Sequence, residues 1–185
     1  MRTAGLLLFI TFFSACASNP GSIVNADRAD VERSGGKTYV GEIPFTGQLV
    51  RLSENGDSIS IESFKQGGLE GVSKHWYPNG QLKEHRYYRD NRKHGFHQGW
   101  YANGQQAFQY WFDDGVYTDT IREWYGNGQL YQVSVYRNGR QEGRQQAWRE
   151  NGELYLNYDV RNGRKYGNSG IKHCKSLWSE VVDNM

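Results

Sequence analysis

The residues best suited to chemistry in this chain are few, and their positions favour other roles. His94 and His97 have the spacing of a metal-ligand pair, and His173 directly precedes Cys174. In extended segments, positions 94 and 97 point to opposite faces, as do positions 173 and 174. The sequence therefore predicts surface or packing roles for all four side chains and no metal site.

Two neighbouring carboxylates, Asp113 and Asp114, have the residue type needed for general acid–base chemistry. They directly precede Gly115, however, and Asp-Gly is a strong turn signal that accounts for them. The chain contains no glycine-rich phosphate loop, no His-Glu-x-x-His motif and no Cys-x-x-Cys motif. We therefore predict that the protein is not an enzyme and binds no cofactor.

The composition predicts a folded, glycine-punctuated β-protein. The 185 residues carry a formal net charge of +2, far from the basic balance of nucleic-acid-binding domains, so no nucleic-acid partner is expected. Only 37% of residues are hydrophobic but 15% are aromatic, so Trp, Tyr and Phe must supply most of the buried area. The 23 glycines against 3 prolines indicate many tight turns.

The beginning of the chain predicts export. A basic start precedes the apolar run AGLLLFITFFSA, which is short for a transmembrane helix and typical of a secretory signal. Its end, FSAC from Phe13 to Cys16, resembles a bacterial lipobox, which implies cleavage before Cys16 and lipidation of that cysteine. Ordinary signal cleavage at the small residues Ala15 and Ala17 is the alternative and gives a soluble periplasmic protein.

A lipidated Cys16 is expected to hold the protein on a membrane, since each buried CH₂ of an acyl chain contributes about 0.8 kcal/mol. Ala17 follows it, rather than the aspartate that retains many lipoproteins at the inner membrane. We therefore expect an outer-membrane lipoprotein that faces the periplasm or the cell surface. Residues 17–37 are polar, small and aperiodic, which predicts a flexible tether after the signal segment 1–16.

A period of 24 residues organises the rest of the chain. Asn-Gly begins at positions 55, 79, 103, 127 and 151, and tryptophan recurs as Trp76, Trp100, Trp124 and Trp148. An aromatic column occupies positions 64, 88, 112 and 136, and a glycine column occupies 47, 71, 95, 143 and 167, with Asp119 as its exception. A fixed period in the twenties indicates stacked repeats, which we expect over residues 38–167.

Each repeat contains two turn signals, which predicts one β-hairpin per repeat. Pro78 suits a type I turn and Gly80 the left-handed residue after it, so the first turn is predicted to be a three-residue loop that pairs Trp76 with Leu82. Alternation along the strands then places Trp76, Leu82 and Tyr88 on one face. We expect this face to be the core, with the four tryptophans buried in it.

The predicted fold is all-β: an elongated, single-layer antiparallel β-meander of 24-residue hairpin repeats with a short C-terminal cap. Residues 168–185 fall out of phase and supply the cap. Within them, Leu177, Trp178, Val181 and Val182 have helical spacing after Ser176. The segment is expected to cover the open end of the array, with Cys174 as a packed thiol. Cys16 and Cys174 are the two cysteines, so no disulfide framework is expected.

The repeat resembles a known family. The pattern of Gly71 to Leu82 followed by Tyr88 to Gly95 resembles the MORN-repeat variant of bacterial exported proteins, which includes proteins named YwqK-like antitoxins. The segment YVGEIPFTGQL, residues 39–49, is similar to the usual opening segment of that family. The resemblance covers about residues 38–167. It implies an elongated antiparallel β-meander that acts in membrane association or protein scaffolding, and it implies no catalytic residue.

The predicted hairpins divide the charged residues between the two kinds of turn. The second turns hold these cations: Lys65, Arg89, Arg92, Lys93, Arg137, Arg140, Arg161, Arg164 and Lys165. The first turns hold mainly acids: Glu54, Asp57, Glu150 and Glu153. All second turns of a meander share one edge, so we predict a basic edge that is interrupted only at repeat 3, residues 113–116. Its cations either keep the turns solvated or contact anionic lipid headgroups or an acidic partner.

Three functions remain open from the sequence. The favoured one is a lipid-anchored cell-envelope scaffold that binds an envelope protein or a membrane surface. The second is a structural spacer without a specific ligand. The third is a metal or redox role at His173 and Cys174.

Overall fold

The computed structural model describes residues 21–169, which form strands and turns without a helix. The strands are β1 (Ile23–Asn25), β2 (Val31–Ser34), β3 (Lys37–Val40), β4 (Ile43–Pro44), β5 (Gly47–Leu52), β6 (Ser58–Lys65), β7 (Gly68–Trp76), β8 (Leu82–Arg89), β9 (Arg92–Lys93), β10 (Gly95–Trp100), β11 (Gln106–Asp113), β12 (Val116–Trp124), β13 (Leu130–Arg137), β14 (Arg140–Trp148), β15 (Leu154–Arg161) and β16 (Arg164–Asn168).

One 13-stranded sheet contains most of these strands. From β5 to β8 and from β10 to β16, each strand pairs antiparallel with the next, β8 pairs with β10, and the two-residue β9 pairs with the end of β8. At the beginning of the sheet, β1 pairs with β5 in parallel. Strands β2, β3 and β4 form a separate three-stranded sheet. The predicted all-β meander of consecutive hairpins is therefore confirmed.

The first turns are three-residue loops, as predicted. The amide of Tyr77 donates to the Gln81 carbonyl at 2.9 Å, and the amide of Gly80 donates to the Tyr77 carbonyl at 2.9 Å. Gly80 has a φ of 79°, the left-handed conformation that the loop requires. The next pair along the hairpin is Trp76 with Leu82. The same loop hydrogen bonds recur 24, 48 and 72 residues later.

The second turns are two-residue loops in which both central residues have positive φ. Asp114 and Gly115 have φ values of 46° and 86°, and Asn138 and Gly139 have 51° and 75°. These values define type I′ turns, whose twist matches that of the flanking strands. Consecutive second turns are also joined, because the Gly115 amide donates to the Lys93 carbonyl at 2.8 Å. We call the two long sides of the sheet the first-turn edge and the second-turn edge.

The sheet buries one face more than the other. A column of side chains spaced by 24 residues is buried in every repeat: Leu49, Ser73, His97, Ile121 and Gln145. We call the face that carries this column the inner face. Phe64, Phe112 and Val160 of the aromatic column are also buried. The column lies on the inner face, because Arg86 pairs with the inner-face residue Ser73 and Tyr88 follows Arg86 by two residues in the same strand.

The tryptophans lie on the opposite face, so the prediction that Trp76 and Tyr88 share a face is wrong. Trp76 is three residues from the inner-face residue Ser73, and strand side chains alternate. The register explains the difference: His75 pairs with Glu84 and Trp76 with Leu82, so Lys83 is an additional residue on β8. This β-bulge reverses the parity that simple counting assumes. All four tryptophans are half-buried rather than buried.

The prediction of a tether over residues 17–37 is wrong for the part that contains β1 and β2. Val24 and Val31 from these strands pack against a cluster of Phe45, Leu49 and Phe64. The three-stranded sheet thereby covers the inner face of the first repeat. The apolar side chains among the polar residues of this segment provide the contacts that order it. Of the predicted C-terminal cap, residues 168–185, Asn168 is the last residue of β16, and residues 170–185 lie outside the described residues.

Candidate functional site

The tyrosine of the recurring Trp-Tyr-x-Asn-Gly heptad links each repeat to the next. The hydroxyl of Tyr77 donates to the Trp100 carbonyl at 3.1 Å, and that of Tyr101 donates to the Trp124 carbonyl at 2.7 Å. The Tyr125 hydroxyl continues the series at 3.0 Å from the Trp148 carbonyl. Each bond spans 23 residues and satisfies a strand-end carbonyl.

The asparagine of the heptad acts within its own turn and toward the next one. Asn79 Oδ1 accepts a hydrogen bond from the Gln81 amide at 3.1 Å, while its Nδ2 donates to the Ala102 carbonyl at 2.8 Å. Asn103 repeats this pair of bonds toward Gly126 in the following turn. Tyrosine and asparagine therefore both hold neighbouring repeats in register, and the recurring heptad has an architectural role.

The second-turn edge carries the predicted cations, and they fall into two groups. Four of them lie against the protein itself: Arg92 pairs with Asp114 at 2.6 Å, Arg161 Nη2 lies 3.5 Å from Asp159, Lys93 lies over the Phe112 ring, and Lys165 lies over the Tyr158 ring. The other five, Lys65, Arg89, Arg137, Arg140 and Arg164, are exposed and form no ion pair with any residue between 21 and 169. This second group is available to a partner.

The chain enters the sheet at the second-turn edge. The Ser22 carbonyl accepts a hydrogen bond from the Gln48 amide at 2.9 Å, and the Ser22 hydroxyl donates to the Thr46 carbonyl at 3.0 Å. Thr46 Oγ1 in turn accepts from the amide of Gln66, a central residue of the first two-residue turn, at 2.9 Å. Ser22 therefore lies on the same side of the sheet as the exposed arginines.

His94 and His97 do not form a metal pair. His97 is on the inner face with 0% of its surface exposed, whereas the His94 ring lies beside Tyr87 on the opposite face. Nε2 of His97 lies 2.7 Å from the Tyr87 carbonyl oxygen and donates to it, because a carbonyl oxygen can only accept. In the neutral ring Nδ1 then carries no proton, and it has no hydrogen-bond partner among the described residues. Burial lowers the pKa of His97. Within residues 21–169, no cluster of three or more His, Cys, Asp or Glu side chains is arranged to hold a metal ion.

Two polar pairs lie among aromatic rings on the inner face. Arg86 Nη2 donates to Glu84 Oε2 at 2.5 Å, and the Arg86 guanidinium lies 5.7 Å from the centroid of the Phe108 ring. One repeat further, the Tyr110 hydroxyl donates to Glu123 Oε1 at 2.5 Å. Burial and the nearby Glu123 carboxylate both raise the pKa of Tyr110, so this phenol stays protonated at physiological pH.

A pocket adjoins the second of these pairs. It has a volume of about 350 Å³ and is bordered by the rings of Tyr101, Phe108, Tyr110, Tyr125 and Tyr131 and by the Glu123 carboxylate, which together we call the aromatic pocket. Gly99 makes room for the Phe108 ring that borders it, because a Cβ at position 99 would lie 2.1 Å from that ring. The repeat pattern did not predict this pocket. The available signal was Glu123, which occupies a column where Gly99 and Ala147 stand in the adjacent repeats.

Three predicted site residues, Cys16, His173 and Cys174, lie outside the described residues. Within residues 21–169, no helix is long and apolar enough to span a membrane. Comparison with known proteins gave no assignment: no protein-family model matches the chain, and no curated protein is significantly similar to it.

Proposed function

We propose that this protein is a lipid-anchored scaffold of the bacterial cell envelope, built like the MORN-repeat variant family, that docks through its second-turn edge on an anionic surface. The observation that carries the proposal is the coincidence of two features at that edge. Ser22, the residue that leads into β1, lies there, and so do the exposed arginines Arg137, Arg140 and Arg164. Anchor and cations then face the same membrane.

The length of chain between anchor and sheet supports this arrangement. Only six residues separate Cys16 from Ile23, the first residue of β1. A fully extended chain advances about 3.5 Å per residue, so Cys16 lies at most about 25 Å from the sheet. A lipid on Cys16 keeps the second-turn edge close to the headgroups, where each Lys or Arg contributes about 1 kcal/mol of attraction to an anionic surface.

The repeat architecture supports the family assignment. The 24-residue hairpin unit, the two-residue turns and the glycine column form one extended sheet of consecutive hairpins. Such a sheet presents long edges and faces, which suit contacts with a surface or a large partner. We place the protein at the outer membrane, facing the periplasm or the cell surface, because Ala17 follows Cys16.

The anchor is tested by Cys16→Ser in the producing bacterium, followed by separation of membranes from soluble protein. The variant should leave the membrane fraction or accumulate with its signal segment uncleaved. Cys174→Ser is the matched control, since it removes the other cysteine, and it should remain on the membrane. A Cys16→Ser protein that is processed normally and still fractionates with membranes would refute the anchor.

Docking is tested by cross-linking in intact envelopes with wild type and with Arg137, Arg140 and Arg164 changed to Glu. A scaffold that docks through this edge should give cross-linked lipid or protein species that the triple variant loses. Species that are identical in both proteins, or absent from both, would instead favour a spacer without a specific ligand.

A further inference from the structure

The aromatic pocket has the composition of a site for an organic cation. The rings of Tyr101, Tyr125 and Tyr131 supply negatively charged π faces, and Glu123 supplies a full negative charge beside them, whereas the Phe108 ring is stacked on Tyr110 and lies 5.7 Å from the Arg86 guanidinium. Glu123 already accepts the Tyr110 hydroxyl, which holds the carboxylate in place. No lysine or arginine in the described part of the chain forms an ion pair with Glu123.

The neighbouring repeats show what the equivalent rings do elsewhere. In the preceding repeat, Lys83 Nζ lies 5.5 Å from the centroid of the Tyr77 ring. In the following repeat, the Arg149 guanidinium lies 5.3 Å from the centroid of the Tyr155 ring. Both distances are within the range of a cation–π interaction. Next to the first turns of both flanking repeats, one of the chain's own cations therefore covers an aromatic ring.

The repeats that form the aromatic pocket lack the corresponding cations. Ala107 stands 24 residues after Lys83, and Tyr125 stands 24 residues before Arg149, so the pocket has uncharged residues where its neighbours have cations. It also has Glu123 in the column of Gly99 and Ala147. The repeats that lack a cation in the columns of Lys83 and Arg149 are thus the ones in which Glu123 adds a negative charge.

We propose that the aromatic pocket binds an organic cation of the quaternary ammonium class, such as a choline group. A quaternary ammonium is weakly hydrated and carries no N–H, so it is best held by ring faces and one nearby carboxylate rather than by several hydrogen-bond acceptors. The volume of about 350 Å³ falls within the usual range for small-molecule sites. The pocket is separate from the basic edge, which attracts anions, and the proposal holds whether or not that edge docks on a membrane.

The test titrates the full-length protein with choline chloride and measures binding by isothermal titration calorimetry. The neutral isostere 3,3-dimethyl-1-butanol is the matched control, since it has the same shape without the charge. We expect saturable binding of choline and affinity for the alcohol that is lower by about tenfold or more, as loss of a desolvated cation–π contact implies. Equal binding of both compounds, or of neither, would overturn the proposal.

Two variants tie binding to the pocket. Ala107→Lys introduces a lysine at the position equivalent to Lys83. Its ammonium group should lie against the rings of the pocket and abolish choline binding. Glu123→Gln keeps the shape, removes the charge and should weaken binding by about tenfold. Lys83→Ala is the control, because it lies in the neighbouring repeat and should bind choline like wild type. Thermal melts identify any variant that does not fold, and unchanged choline binding in folded Ala107→Lys and Glu123→Gln proteins would refute the proposal.

The source of the ligand is resolved by a further arm with phosphatidylcholine vesicles. Vesicle binding that Ala107→Lys abolishes assigns the pocket to lipid headgroups. Binding of free choline without binding of such vesicles assigns it to a soluble ligand.

Discussion

The hydroxyl of Tyr101 donates a hydrogen bond to the backbone carbonyl of Trp124, 2.7 Å away and 23 residues further along the chain. The bond joins adjacent repeats at the first-turn edge, where strand pairing has ended. It explains why tyrosine follows tryptophan in three of the heptads: tyrosine carries the link, and the tryptophan carbonyl receives it.

Removal of this link should destabilise the array. Tyr101→Phe keeps the ring but leaves the Trp124 carbonyl without its partner, and we expect a loss of about 1 kcal/mol in the free energy of unfolding. Tyr87→Phe is the control, because that side chain is 36% exposed and its hydroxyl forms no hydrogen bond with the described residues. Urea unfolding of both variants measures the difference, and equal losses would show that the link contributes nothing.

The glycine column predicts a stabilising substitution. Asp119 has a φ of 59° where the neighbouring repeats have Gly95 at 71° and Gly143 at 85°. Left-handed conformation costs a non-glycine residue about 1–2 kcal/mol, against about 0.5–1 kcal/mol for the greater flexibility of unfolded glycine. Asp119→Gly should therefore raise the free energy of unfolding by about 0.5 kcal/mol. The reverse change, Gly143→Asp, should lower it, and a thermal melt that ranks the two variants the other way would contradict this reading.

His97 predicts a loss of stability in mild acid. Burial lowers its pKa below the ordinary 6.5, and Arg86 and Lys93 act in the same direction. Because the unfolded chain binds the proton more readily, stability is complete above pH 6.5 and falls as the pH drops below that value toward and through the folded-state pKa, by up to about 1.4 kcal/mol per pH unit.

The matched variant for this effect is His97→Gln, because Gln145 occupies the same column and donates to the Val135 carbonyl at 2.9 Å. Unfolding free energies from pH 7.5 to 5 should depend less steeply on pH in this variant. His85 also has a pKa lowered by burial, so His85→Gln measures its separate contribution. A slope that His97→Gln leaves unchanged would exclude His97 as the source.

The difference in burial predicts that truncation of an inner-face residue destabilises the protein more than truncation of a tryptophan. Ile121 is 3% exposed on the inner face, whereas Trp124 is half-buried on the opposite face. Ile121→Ala should cost about 2–5 kcal/mol, and Trp124→Ala should cost less than the 3–5 kcal/mol typical of a buried tryptophan. Thermal and urea unfolding would contradict this assignment if Trp124→Ala were the more damaging change.

The fold was accessible from the sequence because its signals repeat. Asn-Gly and tryptophan recur at 24 residues, and Pro78 with Gly80 defines the loop type, so hairpins and loop lengths followed. The face of the tryptophans did not follow. Lys83 is an additional residue in β8, and a classification by even and odd positions does not detect a bulge.

The site was less accessible because its contacts are long-range. The Tyr101 link spans 23 residues, and the three-stranded sheet depends on packing between β1, β2 and a cluster formed later in the chain. The cations of the second-turn edge were predictable, since turn positions follow from the repeat. Which of them pair internally was not, because that depends on the side-chain directions of Asp114 in the next turn and of Asp159 in β15.

The central claim, docking through the second-turn edge, is tested most directly by vesicle flotation of a soluble form that begins at Ala17. Phosphatidylethanolamine vesicles with and without phosphatidylglycerol are compared at low and high salt, for wild type and for Arg137, Arg140 and Arg164 changed to Glu. The control changes Lys74, Lys83 and Arg122 to Glu, which alters the net charge equally but away from that edge. We predict salt-sensitive binding of wild type and control to the anionic vesicles, weakened about a hundredfold in the edge variant. Absence of wild-type binding, or equal weakening by both triple variants, would contradict the claim.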